Sequence, residues 1–191
     1  MFRAIRRLLS FLRFFHLLIL SKAKLLYVVL ANSGVAFGES SRIALNANIS
    51  STDGGVIEFG DNVFIGVGCE IICRGGKISI GDNVHVGRGS IIVSTKEISI
   101  GQNSQIAEYV VVRDQDHSTS CRPIRSSGFE EAKVTIGEDC WLGTKSTVLR
   151  GSTIGNGAVI GAHGLVRGMI PPFSLAVGCP ARVVKYYTEN E

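Results

Sequence analysis

From residue 37 onward, apolar residues return at every sixth position in six triplets: 37, 43, 49; 59, 65, 71; 80, 86, 92; 100, 106, 112; 136, 142, 148; and 154, 160, 166. A glycine often follows. A helix would need apolar positions at i, i+3, i+4 and i+7, and an ordinary strand would alternate by two along its whole length. A strict six fits short strands separated by turns, three strands to a coil, each aliphatic side chain pointing into a narrow triangular core. Gly60-Asp61-Asn62 and Gly81-Asp82-Asn83 have the residue types that tolerate the positive φ such corners demand. The reading is an all-β solenoid, a parallel β-helix of about six hexapeptide coils over residues 34–170. At the spacing of adjacent strands it stands about 25–30 Å tall. A helical segment, residues 1–33, precedes it and a C-terminal segment, 171–191, follows.

The first segment has a different period. In residues 2–20, Arg3, Arg6, Arg7, Ser10 and Arg13 fall on one side of a helical wheel, and Ile5, Leu8, Leu9, Leu12, Phe15 and Ile19 on the other. Arg13, His16, Lys22 and Lys24 interrupt every window of the about 20 apolar residues a spanning helix needs. No small-residue cleavage site marks a signal peptide. The segment is a basic amphipathic helix with two open placements: on an anionic membrane surface, as a peripheral contact through residues 1–30, or packed on the domain or a neighbouring subunit.

Charge sharpens that division. Residues 1–24 hold six basic side chains and no acid, whereas the rest of the chain carries 14 basic and 16 acidic ones. The solenoid therefore has no electrostatic footprint for nucleic acid. With 23 glycines and no G-x-y period, the chain is neither a helical bundle nor collagen. Cys69, Cys73, Cys121, Cys140 and Cys179 have neither zinc-site nor disulfide-framework spacing. They read as reduced thiols filling small spaces in a cytoplasmic protein.

The repeat breaks once. The step from Val112 to Ile136 leaves about 18 residues inserted, and residues 113–133 carry most of the off-pattern polar groups. An insertion in a regular array is where function concentrates. Here it holds His117, flanked by Asp114 and Asp116. An imidazole can take a proton from a hydroxyl near neutral pH, and a neighbouring carboxylate or carbonyl can fix its tautomer.

From about residue 37 to 185 the chain resembles the hexapeptide-repeat acyltransferases. Within them it is most similar to the sugar O-acetyltransferases, including galactoside and maltose acetyltransferases and enzymes that O-acetylate polysaccharide or sialic acid. The strings that carry the likeness are IGQNSQIAEYVVVRDQDH, VTIGEDCWLG, IGNGAVIGAHGLV and PPFSLAVGCPARVVK. The resemblance implies a left-handed β-helix, a homotrimer with sites between subunits, and acetyl-CoA as co-substrate without a metal. It makes His117 the base that deprotonates the acceptor hydroxyl. Trp141 lines the acetyl and acceptor site or covers a coil edge. Asp116 joins the substrate-binding set, and His85 contacts acceptor or is surface. Gly143, Thr144 and Ala162 match positions where backbone holds the pantetheine arm. Arg167, Arg182 and Lys185 match basic positions near the nucleotide phosphates or are ordinary surface charge.

The chain also departs from that pattern. The galactoside and maltose enzymes carry an acceptor-contacting Asn where Gly87 stands here, which argues against a simple galactoside acceptor. Three functions remain open: O-acetyl transfer to a glycan precursor of capsule, exopolysaccharide or O-antigen type, N-acetyl transfer to an amino sugar, or a non-catalytic scaffold. The membrane-leaning helix favours a cytoplasmic enzyme working at the inner face of the cell membrane.

Overall fold

The computed structural model describes residues 2–188, the side chains of residues 2–11 and 13–15 excepted. Arg3, Arg6, Arg7, Ser10 and Arg13, the expected polar face of the helix, thus lie outside the described residues. The chain forms one helix, Phe2–Ala31, followed by a β-solenoid with three parallel faces.

The first face stacks Val35–Phe37, Val56–Phe59, Lys77–Ile80, Glu97–Ile100, Val134–Ile136, Thr153–Ile154 and Met169–Ile170. Arg42–Ile43, Phe64–Ile65, His85–Val86, Gln105–Ile106, Trp141–Leu142, Val159–Ile160 and Ser174–Val177 make the second. Asn48–Thr52, Glu70–Arg74, Ile91–Ser94, Val111–Arg113, Thr147–Val148 and Leu165–Val166 make the third. Register does not slip: Ile43, Ile65, Val86, Ile106, Leu142 and Ile160 align as successive partners in one inward column. Every repeat position is buried except Phe37, which is half-buried and stacks on Phe59 at 4.3 Å. Each fully buried Ile or Leu contributes about 1.5–3 kcal/mol, and alignment lets one coil's side chain roof the next.

Three columns of turns join the faces. At the first corner the positive φ falls on Asn62, Asn83 and Asn103 (54°, 57° and 61°) and not on the glycines two residues earlier. Asparagine tolerates this region. Its amide also links coils: Asn62 Nδ2 donates to Asn83 Oδ1 at 3.0 Å, and Asn83 Nδ2 to Asn103 Oδ1 at 3.1 Å.

The helix, Phe2–Ala31, lies within the segment 1–33, and its second half packs on the first coil. Val28 is buried in the core and Leu25 packs against it. Ile43 N–H, which has no coil before it to pair with, donates to Ser21 Oγ at 2.9 Å. Ser51 N–H donates to Asn32 Oδ1 at 3.0 Å. At the other end the last strand, Arg182–Tyr186, turns back antiparallel on Ser174–Val177.

Candidate active site

The insertion leaves at the third corner, between the third and first faces, and folds into a hairpin of Gln115–His117 against Phe129–Glu131. Its root is fixed by Asp114. That carboxylate is fully buried and accepts from Ser94 Oγ (2.6 Å), Thr95 N–H (2.9 Å) and Lys96 N–H (2.9 Å) of the preceding coil. Charge-assisted bonds to backbone amides are among the stronger kinds. One residue farther out than Gln115, Asp116 pairs with Arg150 Nε at 2.8 Å, and Arg150 Nη2 reaches Glu130 at 2.5 Å. Arg150 thereby ties both hairpin strands to the fifth coil. Asp116, Arg150, Leu149 and Arg167 line a cavity of about 340 Å³ on that side.

His117 alternates to the other side of the hairpin and is exposed, its ring 4.6 Å from Phe129 and tilted by 35°. Neither flanking carboxylate is turned to it: Asp114 is held by the turn at 94–96 and Asp116 by Arg150. Phe129 is what touches the imidazole. Sequence reasoning missed it because a lone aromatic in a polar loop has no period to mark it. Asp116, expected among the substrate ligands, stands on the side of the hairpin opposite His117.

The other expected site residues gather elsewhere. His85, Gln105 and Trp141 align in one outward column of the second face, with Trp141 55% exposed. His85 stacks on Phe64 at 4.8 Å, and Arg42 lies 5.8 Å from that ring. Lys185, in register with Leu175, continues the column and sits 4.6 Å from the Tyr187 ring. Gly143, Thr144 and Ala162 meet at the second corner, between the second and third faces. A Cβ on Gly143 would lie 2.6 Å from Ala162 N, so the backbones are in close approach there. Thr144 Oγ1 donates to Glu108 O at 3.0 Å, and Arg182 pairs with Val177 beside this corner. Arg167 stands apart at the third corner, near Arg150.

The second corner repeats the left-handed turn of the first. Tyr109, Lys145 and His163 occupy equivalent positions with φ of 58°, 58° and 59°. The same turn position holds Phe173 at the first corner with φ of 50°, so the turn of the repeat sets this conformation. Tyr109 lies over Gly89, whose Cβ would sit 2.5 Å from the ring. Gly87 has no freedom either: a Cβ would lie 2.6 Å from the carbonyl carbon of Ala107.

Cys69, Cys73 and Cys140 are buried, and burial pushes their thiols up from the ordinary range, which keeps them protonated and inert. Cys121 and Cys179 are exposed. Among the described residues no three His, Cys, Asp or Glu side chains converge to hold a metal.

Comparison with known proteins agrees with this architecture. The model of bacterial transferase hexapeptide repeats matches residues 133–168, and that of the hexapeptide repeat of succinyl-transferase matches 57–94 and 77–112. A protein of Escherichia coli K12, named for lipopolysaccharide biosynthesis as the O-acetyl transferase WbbJ, is 38% identical over 146 residues, covering 71% of this chain and 74% of the relative. A Mycobacterium tuberculosis protein named as an acetyltransferase is 44% identical over 98 residues. That match covers 50% of this chain, and the chain spans only 33% of the relative's length. The fold of a Bacillus cereus N-acyltransferase, AntD, solved with coenzyme A and a dTDP-amino sugar, superposes with a TM-score of 0.74 at 22% identity, covering 89% of this chain and 90% of that one. This chain belongs to the hexapeptide-repeat acyltransferase family.

Proposed function

We propose that the protein transfers an acetyl group from acetyl-CoA to a sugar hydroxyl of a glycan precursor at the inner face of the cell membrane, with His117 as general base. One observation carries this reading. Gly143, Thr144, Ala162 and Arg182 line the second corner, His85, Trp141 and Lys185 lie on the adjoining face, and His117 projects from the third corner on a hairpin rooted by a buried carboxylate. The third face separates the two groups. Its outward column includes Ile91, Val111 and Leu165, apolar side chains half-buried in a single chain. Three copies packing these faces around a common axis bring the third corner of each against the second corner of its neighbour. His117 of one copy then meets the coenzyme edge of the next, so the site is complete only in a homotrimer.

In that setting the His117 imidazole takes the proton of the acceptor hydroxyl as its oxygen attacks the thioester carbonyl carbon. The C–S bond breaks, the imidazolium returns the proton to the CoA sulfur, and an acetyl ester and free CoA leave. Backbone at Gly143, Thr144 and Ala162 holds the pantetheine arm, with Arg182 and Lys185 toward the phosphates. Trp141 and His85 face the acceptor. The E. coli relative, named an O-acetyl transferase, favours a hydroxyl over an amine acceptor.

The test is CoA release and acetyl ester formation with purified protein, acetyl-CoA and paired hydroxy and amino sugars. His117→Ala is expected to lower kcat by about 10²–10⁴ while CoA affinity holds. Undiminished transfer in that variant removes the mechanism. An alkali-stable amide product moves the reaction to nitrogen, and a stable, active monomer in light scattering removes the shared site.

A further inference from the structure

The helix Phe2–Ala31 carries two apolar faces, and the solenoid uses one of them. Ser21, Leu25, Val28 and Asn32 fall within about 60° of one another on a helical wheel. They make the contacts with the first coil. Leu12, Ile19, Leu26 and Leu30 fall within about 40° of one another on the opposite side. These four are between 51% and 77% exposed. In the sequence the same line of positions continues through Ile5 and Leu8. The charge of this stretch has one sign: Arg3, Arg6, Arg7, Arg13, Lys22 and Lys24 precede the first acidic residue, Glu39. Among the described residues no helix is long and apolar enough to cross a membrane.

We propose that the outward stripe Leu12–Ile19–Leu26–Leu30 docks on an anionic lipid surface, with the helix lying in the plane of the membrane and the solenoid standing on its first coil. Burial of the stripe supplies the apolar contribution, and anionic headgroups neutralise the basic residues. The helix carries six basic side chains and no acid beside this stripe, so a lipid surface of opposite sign is the occupant that complements the chain. The orientation sets a height. One helix diameter of about 10 Å and three coil steps of about 4.8 Å place the root of the His117 hairpin about 25 Å from the lipid. Joined to the proposed function, on which this last step rests, that distance suits a glycan carried on a lipid whose modified sugar lies a few residues from its anchor. The docking itself stands without that reading.

Flotation of the full-length protein tests it, using vesicles of phosphatidylcholine with and without about one-third phosphatidylglycerol. The protein should float with the anionic vesicles and do so less as salt rises. Leu26→Glu with Leu30→Glu should reduce partitioning by about a hundredfold, near tenfold for each side chain withdrawn from lipid. Thermal melting and acetyl transfer to a water-soluble sugar should stay as in the parent. Equal flotation of parent and variant, no flotation of the parent, or a variant that falls apart into monomers in light scattering would each overturn the docking. Loss of acetyl transfer in both proteins with flotation as expected would leave the docking intact and remove the function.

Discussion

The first and third corners of this prism both join strands by short turns, yet they end in opposite states. At the first corner the Asn62 and Asn83 amides each bond the next coil's asparagine, and the turns stay short. At the third corner one turn opens into a hairpin. Its charged groups are taken up in order from the root, Asp114 by buried donors and Asp116 by Arg150, until His117 is left projecting. A repeat that satisfies all its polar groups is a rod. Chemistry enters where the period is broken and the break is braced.

Substitutions can break that contrast, and the largest effect is expected at the brace. Asp114→Ala would leave the part-buried Thr95 and Lys96 amides without their acceptor and the Ser94 hydroxyl with only Lys77 O, a loss of about 3 kcal/mol. Urea denaturation reads it, and a loss below about 0.5 kcal/mol would show that the root is not held this way. At the closed corner, Asn83→Ala keeps the positive φ of 57° but loses the residue suited to it and two amide bonds. About 1–2 kcal/mol should go, with Asn83→Gly recovering much of it in the same assay. An Ala variant as stable as the parent would mean that the ladder only decorates the turn. The smallest effect belongs to Arg150→Met. Its two carboxylate partners are about half exposed, so the stability change should stay below about 1 kcal/mol while hydrogen exchange in the hairpin strands quickens. Unchanged exchange would argue that Asp114 alone sets the hairpin.

Much of this was legible in the sequence because a solenoid writes its contacts as a period. Ile65, Val86, Ile106 and Leu142 announce one another by spacing and stack as the spacing requires. The break at Val112 is legible for the same reason, and with it the candidate base. What lay hidden are contacts that no period connects. Arg150 reaches Asp116 across 34 residues and Glu130 across 20. Asp114 reads beside His117 as a partner for it, yet in space it turns back to the coil below. Phe129 finds the imidazole only through hairpin pairing. The second half of the helix carries a weaker signal, because Leu25–Val29 is apolar all round and lacks the amphipathic pattern of the first half. Residues 21–32 must serve the solenoid on one side and present Leu26 and Leu30 on the other.

The hydroxyl of Ser21 and the side-chain oxygen of Asn32 also bear on how long an assembly of this protein can grow. A parallel stack of coils ends in open amides, and an open end is a template on which another chain's strands can add, the route by which β-rich proteins polymerise into fibres. By accepting from Ile43 and Ser51, one residue of the helix and the residue just after it terminate the growing end before a second molecule can reach it. A protein that builds rods in miniature is in this way kept from becoming one.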